Sequence, residues 1–72
     1  MFDLETLAAY IKNYRAEHNL SQEDFAYNCG IGKDTIGRIE RKVYNPSLSL
    51  LQAIAAYCDV SVARLLTPSA EL

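Results

Sequence analysis

The chain has 72 residues, of which 50% are apolar and 22% charged, and its formal net charge is −2. This size supports one domain near the lower limit for a stable hydrophobic core, with an ordinary globular composition. No run approaches the roughly 20 apolar residues of a membrane span, and the N-terminus is acidic where a secretory signal is basic. We expect a single cytoplasmic domain over residues 1–72, ordered from about residue 4 to 66 and frayed at its C-terminus.

Side chains suited to catalysis or metal binding are few. Cys29 and Cys58 both occupy positions in apolar periodic patterns, which predicts buried free thiols rather than a disulfide. His18 is the only histidine, and the sequence has no metal-ligand spacing, Ser-His-Asp set or phosphate-binding loop. The sequence therefore predicts no enzyme, no metal site and no cofactor.

The first predicted helix covers residues 4 to about 18 and ends at His18-Asn19, after which Leu20 returns to the core. Its apolar side chains recur at helical spacing and share one face; they are Leu4, Leu7, Ala8, Ile11 and Tyr14.

Residues 20–41 predict two short helices joined by a tight turn. Ser21 is suited to cap the second helix, with Asp24 reaching back to complete a capping box. Gly30 is suited to end that helix in the left-handed conformation, and Gly32 precedes a third helix whose inner residues are Ile36 and Ile39. This arrangement is typical of a helix-turn-helix. The alternative is a plain αα-hairpin in a small bundle.

Two further helices follow a loop at residues 41–45. Asn45 is predicted to cap the fourth helix, with Pro46 in its first turn. The inner face of this helix should carry Leu48, Leu51, Ile54, Ala55 and Cys58.

The fourth helix should end at Asp59, which tolerates the left-handed conformation. Ser61 should cap a fifth helix that Thr67-Pro68 stops, with Leu65 and Leu66 turned inward. The fold class is therefore an all-α, compact five-helix domain.

Positive charge is concentrated between residues 32 and 45, and the segments on both sides are acidic. This stretch holds Lys33, Arg38, Arg41 and Lys42 against Asp34 and Glu40. A basic element on an acidic body is suited to local phosphate binding. The alternative is a solvated helix face with ordinary charge scatter.

Several short segments resemble the Xre or Cro/C-repressor family of phage and bacterial DNA-binding domains. They are Leu20-Ser21-Gln22-Glu23, Phe25-Ala26, Cys29-Gly30-Ile31, Thr35-Ile36-Gly37-Arg38-Ile39-Glu40 and Asn45-Pro46-Ser47. The resemblance covers about residues 4–66 and implies a lambda-repressor-like fold. It also implies a sequence-specific transcriptional regulator, in most cases a repressor, that docks the third helix in the major groove of double-stranded DNA. Gly32, Asp34 and Gly37 depart from the pattern of the family.

The side of the third helix opposite its apolar residues predicts the base contacts. A helix turns by about 100° per residue, which groups Lys33, Asp34, Gly37, Arg38 and Arg41 on that side, with Thr35 at its edge. Arg38 is suited to pair with guanine O6 and N7. Asp34 either accepts a hydrogen bond from cytosine N4 or only stabilises the helix N-terminus. The missing side chain of Gly37 is interpreted as letting the helix sit deep in the groove. The alternative for each residue is a solvated position.

The resemblance implies that Gln22 contacts a DNA phosphate from the start of the second helix. Arg41, Lys42, Tyr44 and Asn45 are expected to hold the DNA backbone after the recognition helix. The resemblance also implies a partly buried ion pair between Arg15 and Glu40.

A weak homodimer on a palindromic operator is the expected assembly. Its predicted interface is a side of the fourth helix that the core does not obviously use, formed by Leu50, Ala53, Ala56 and Tyr57. In the alternative function, the same surface binds a protein partner, as in an antitoxin or anti-repressor of helix-turn-helix fold. No membrane partner is expected.

Overall fold

The structure is a computed structural model that describes residues 4–67. Five helices follow one another: α1 (Leu4–His18), α2 (Gln22–Cys29), α3 (Lys33–Glu40), α4 (Leu48–Cys58) and α5 (Val62–Leu65). The predicted all-α class and the five helices are confirmed, and the described residues contain no strand. The predicted stop at Pro68 and the frayed tail after it lie outside the described residues.

The core forms where all five helices meet. α3 packs against both α1 and α2, α4 packs against α2 and α5, and α5 also packs against α1. The largest fully buried side chains come from every helix; they are Leu7, Ile11, Phe25, Ile36, Ile39, Ile54 and Leu65. This packing holds α3 by its apolar face and leaves Lys33, Asp34 and Arg38 exposed.

Serine side chains begin three of the helices. The hydroxyls of Ser21, Ser47 and Ser61 each accept a hydrogen bond from the N–H three residues later, at 2.9, 3.2 and 3.2 Å. At Ser21 the Asp24 carboxylate also accepts from the Ser21 N–H at 3.2 Å, which completes the predicted capping box.

The prediction that Asn45 caps α4 is wrong. Ser47 is the cap, and the helix begins at Leu48, so Pro46 precedes the cap and is buried rather than lying in the first turn. Ser47 takes this role instead, because its hydroxyl accepts the hydrogen bond from the Leu50 N–H in the first turn of the helix. The later start also turns Leu48 outward, and its side chain is 63% exposed instead of lying on the inner face.

Four of the helices end in the same way. A residue with a positive φ follows the helix, directly in α1, α2 and α4 and after Arg41 in α3, and the N–H of the residue after it donates to the carbonyl five positions earlier, at 2.8–3.0 Å. The left-handed residues are Asn19, Gly30, Lys42 and Asp59. The predictions for Gly30 and Asp59 are thus confirmed, and glycine serves at one of these four ends.

Tyr57 belongs to an aromatic cluster beneath α4. Its ring meets those of Tyr14 and Phe25 edge to face, with centroids 5.8 and 5.5 Å apart. Its hydroxyl accepts a hydrogen bond from Asn28 Nδ2 at 2.9 Å. The prediction that the core leaves Tyr57 unused is therefore wrong, because the long aromatic side chain reaches around the helix to α1 and α2.

Both cysteines are free thiols. Cys58 is buried, as predicted, whereas Cys29 is only half-buried. Burial raises the pKa of the Cys29 thiol to about 12, with a further contribution from Cys58, and burial raises that of Cys58 to about 11. Such weakly acidic thiols are poor nucleophiles at neutral pH, so the two cysteines act as packing side chains.

Removal of the Ser21 cap should destabilise the domain. We expect Ser21→Ala to lower the free energy of unfolding by about 1 kcal/mol, because the Asp24 N–H loses its acceptor. Ser49→Ala is the matched control, since Ser49 is exposed within α4 and is not a cap. Urea denaturation of both variants tests the capping role, and equal stabilities would contradict it.

Candidate nucleic-acid interface

α3 presents a charged face opposite its packed face. Ile36 and Ile39 are fully buried, whereas Lys33, Asp34 and Arg38 are exposed. The helix is only eight residues long. Its position therefore depends on the side chains that fasten its inner face to α1 and α2.

One of these fastenings is a buried ion pair between α1 and the last residue of α3. Arg15 Nε donates to Glu40 Oε2 at 2.8 Å, and Arg15 Nη2 donates to Glu40 Oε1 at 2.9 Å. Arg15 Nη1 also donates to the Leu20 carbonyl at 3.1 Å. Glu40 is 3% exposed and Arg15 22%. The hydrogen bonds to Glu40 raise the pKa of Arg15, so the guanidinium stays charged.

The ion pair changes the charge that the basic segment presents to solvent. Glu40 counts as an acidic group in the sequence, but its carboxylate is buried and neutralised by Arg15. The exposed charged groups between residues 32 and 45 are four cations and one carboxylate; they are Lys33, Arg38, Arg41, Lys42 and Asp34. The surface around α3 is therefore more positive than the sequence count indicates, which favours contact with phosphate.

Gln22 joins the ion pair from the start of α2. Its Nε2 donates to Glu40 Oε1 at 3.1 Å, and its side chain is half-buried. The amide that the family resemblance assigns to a DNA phosphate is thus already bonded within the protein. The sequence analysis missed this contact, because 18 residues separate the two side chains.

The expectation that Gly37 lies on an open face is wrong. Gly37 is buried, and a Cβ added to it would lie 3.2 Å from Arg41 Nη1 and 3.6 Å from Gln22 Oε1. Gly37 does point away from the core, but these two polar side chains cover it. A helical wheel orders positions by angle and takes no account of long side chains that arrive from a neighbouring helix.

The other predicted phosphate contacts lie in the segment after α3. Arg41, Lys42 and Asn45 are exposed, whereas Tyr44 is half-buried and packs against the core. Lys42 is the left-handed residue at the end of the helix, with φ +65°. Thr35, the predicted contact at the edge of the α3 face, is half-buried.

Residues 4–67 contain neither a metal-ligand cluster nor a membrane-spanning helix. No three or more histidine, cysteine, aspartate or glutamate side chains in this part of the chain come together as a metal site requires. No helix formed by these residues is long and apolar enough to span a bilayer.

Loss of the Glu40 carboxylate should destabilise the domain strongly. We expect Glu40→Ala to lower the free energy of unfolding by about 3–5 kcal/mol, because it leaves Arg15 without its partner in a mostly buried position. Glu40→Gln should cost less, because it keeps the shape and one acceptor oxygen. Glu17→Ala, an exposed change on α1, should stay within about 0.5 kcal/mol of the parent. A loss below about 1 kcal/mol for Glu40→Ala in thermal unfolding would show a solvent-screened pair.

Comparison with known proteins places this geometry in a family. The helix-turn-helix family model, HTH_3, matches residues 11–65. The control protein C.SmaI of Serratia marcescens is 43% identical over 63 residues, which cover 88% of this chain and 75% of that protein.

Solved structures agree with this match. The hypothetical transcription factor NHTF from Neisseria has a TM-score of 0.87 at 32% identity, covering 94% of this chain and 78% of that one. The N-terminal DNA binding domain of SinR from Bacillus subtilis has a TM-score of 0.80 at 35% identity, covering 90% and 96%. SinR in complex with DNA has a TM-score of 0.76 at 37% identity, covering 85% and 98%. The family model covers more than half of the chain, and the chain therefore belongs to the helix-turn-helix family HTH_3.

Proposed function

We propose that this chain is a sequence-specific double-stranded DNA-binding transcriptional regulator, of the repressor kind, that docks α3 in the major groove. The observation that carries the proposal is the outer face of α3 and the loop after it, where four cations and one carboxylate remain exposed once Glu40 is neutralised. The similarity to SinR, which has been solved in complex with DNA, supports the same use of the fold.

Arg38 is the proposed centre of base reading. It is exposed on the outer face, and its guanidinium can donate to guanine O6 and N7 together. Lys33 and Asp34 lie one turn earlier and are also exposed. Lys33 offers a donor to guanine or phosphate, and Asp34 offers an acceptor to cytosine N4.

Phosphate contacts are proposed for the exposed groups that follow α3. Arg41, Lys42 and Asn45 flank the reading face, where they can set the register of the helix on the duplex. Tyr44 can supply only its hydroxyl, because its ring packs against the core.

A homodimer on a palindromic operator is the proposed assembly. Ala56 on α4 is exposed and Ala53 is half-buried, so these two residues can supply a small apolar contact. Leu50 packs partly against the core, contrary to the expectation from sequence, and adds only its remaining exposed surface. Tyr57 contributes at most its outer edge, since its ring and hydroxyl are engaged within the domain. Such a limited surface is consistent with a weak dimer that forms mainly on DNA.

Base-reading and phosphate-binding residues should respond differently to mutation. We expect Arg38→Ala to weaken binding to the selected operator by about 1–3 kcal/mol and to relax the preference at one base position. Lys42→Asn should weaken all duplexes alike and reduce the salt slope by about one unit. Asn is chosen because it tolerates the left-handed backbone at this position.

Selection from random duplexes, followed by titration at several salt concentrations, provides both measurements. An unchanged selected motif for Arg38→Ala would remove this residue from base reading. Binding of the parent that is weak, independent of sequence and insensitive to salt would contradict the DNA-binding function. It would favour a protein-interaction module of antitoxin or anti-repressor type instead.

The proposed dimer surface can be tested without disturbing the core. We expect Ala56→Glu to abolish cooperative binding to a duplex with two half-sites, because it places like charges opposite each other across the interface, while binding to one half-site persists. Ala9→Glu makes the same substitution at an exposed position of α1 and should leave cooperativity unchanged. Sedimentation and gel-shift titration report the outcome, and cooperative binding by Ala56→Glu would place the interface elsewhere.

A further inference from the structure

The structure contains a small polar slot where α2 meets α3, and its floor is the backbone of Gly37. Arg41 Nη1 and Gln22 Oε1 lie 3.2 and 3.6 Å from the point that a Cβ of Gly37 would occupy. Arg41 follows Gly37 by one helical turn, whereas Gln22 comes from the start of α2. One polar group from α2 and one from the end of α3 therefore lie over Gly37, the residue of α3 that has no side chain.

The ion pair in the interior fixes which end of the Gln22 amide faces this slot. Gln22 Nε2 donates to Glu40 Oε1, and the same carboxylate oxygen accepts from Arg15 Nη2. An ionised carboxylate accepts hydrogen bonds and donates none, so the nitrogen of the amide must face it. The amide oxygen then faces the slot, where its partial negative charge attracts the Arg41 guanidinium.

We propose that Gly37 is a positioning residue for DNA-backbone binding, because the slot seats the Arg41 guanidinium beside Gln22, where it binds a phosphate of the duplex. This inference rests on the proposed DNA-binding function. A long exposed arginine loses rotamer freedom when it binds a phosphate, and a seated arginine has lost part of that freedom beforehand. Gly37 thus contributes to affinity through Arg41 and not through a contact of its own.

A larger side chain at position 37 should displace the Arg41 guanidinium further and should therefore lower the duplex affinity more. A Cβ at 3.2 Å from Arg41 Nη1 is tighter than an ordinary contact. Gly37→Ala therefore requires a shift of the guanidinium by only a few tenths of an ångström. Gly37→Leu fills the slot and displaces the guanidinium from it. Both substitutions replace a poor helix former with a good one, so Gly37→Ala should melt at a higher temperature than the parent. The leucine of Gly37→Leu also crowds Gln22, so circular dichroism and thermal unfolding of this variant first establish that it is folded.

The test measures duplex affinity against salt concentration for the parent, Gly37→Ala, Gly37→Leu, Arg41→Ala and the Gly37→Leu/Arg41→Ala double variant. Arg41→Ala should lose about fivefold in affinity at 0.15 M salt, and its salt slope should fall by about one unit, on operator and unrelated duplexes alike. Gly37→Leu should reproduce both effects, Gly37→Ala should lose less, and the double variant should match Arg41→Ala. Ala9→Leu, which adds the same side chain to an exposed position of α1 away from the proposed contacts, should bind as the parent does.

Two outcomes would overturn the role of Gly37. Full affinity and an unchanged salt slope for Gly37→Leu would mean that the slot does not seat Arg41. A further loss when Gly37→Leu is added to Arg41→Ala, or an altered selected motif, would mean that position 37 acts on the depth of α3 in the groove. Absence of salt-dependent duplex binding by the folded parent is a different result, because it would remove the proposed function together with this inference.

Discussion

The buried pair of Arg15 and Glu40 is the constraint on which the DNA-facing surface depends. A carboxylate with 3% exposure requires a cation and further donors, and here Arg15 and Gln22 supply them. The same guanidinium also bonds the Leu20 carbonyl, so one cluster joins α1, the chain entering α2, and the end of α3. Apolar residues of similar volume can stabilise a core equally well. We therefore interpret the pair as a contact that fixes orientation, since its two directional hydrogen bonds constrain the position of the end of α3 relative to α1.

This fastening matters because α3 is too short to be stable by itself. Helices of eight residues are marginal in water without tertiary packing. Ile36 and Ile39 supply apolar contact, and Glu40 supplies the directional contact at the end of the helix. These three residues hold the inner side of α3, and Lys33, Asp34 and Arg38 on its outer side stay exposed to solvent. A domain with an acidic composition thus maintains a locally cationic surface.

Local sequence patterns predict the helices and most of their caps. They do not predict the environment of residues that are contacted by side chains from other helices. Apolar periodicity and the serine caps place the helices correctly, except at α4, where Asn45 competes with Ser47 as a cap two residues away. Tyr57 and Gly37 were misplaced because each position depends on partners from other helices. The ion pair came from the family resemblance and not from any local pattern, and its extension to Gln22 had no sequence signal at all.

The left-handed residues at the helix ends are positions where substitution can change the stability of the domain. A left-handed conformation costs a residue with a side chain about 1–2 kcal/mol, and Asn and Asp tolerate it better than most. Asp59 is such a residue and is distant in sequence from the proposed contacts, so we expect glycine at this helix end to raise the thermostability without loss of DNA affinity. Lys42 differs, because its conformation is strained and its charge belongs to the proposed phosphate-binding group. At position 42, selection for a more stable domain favours glycine, whereas selection for tighter DNA binding favours lysine.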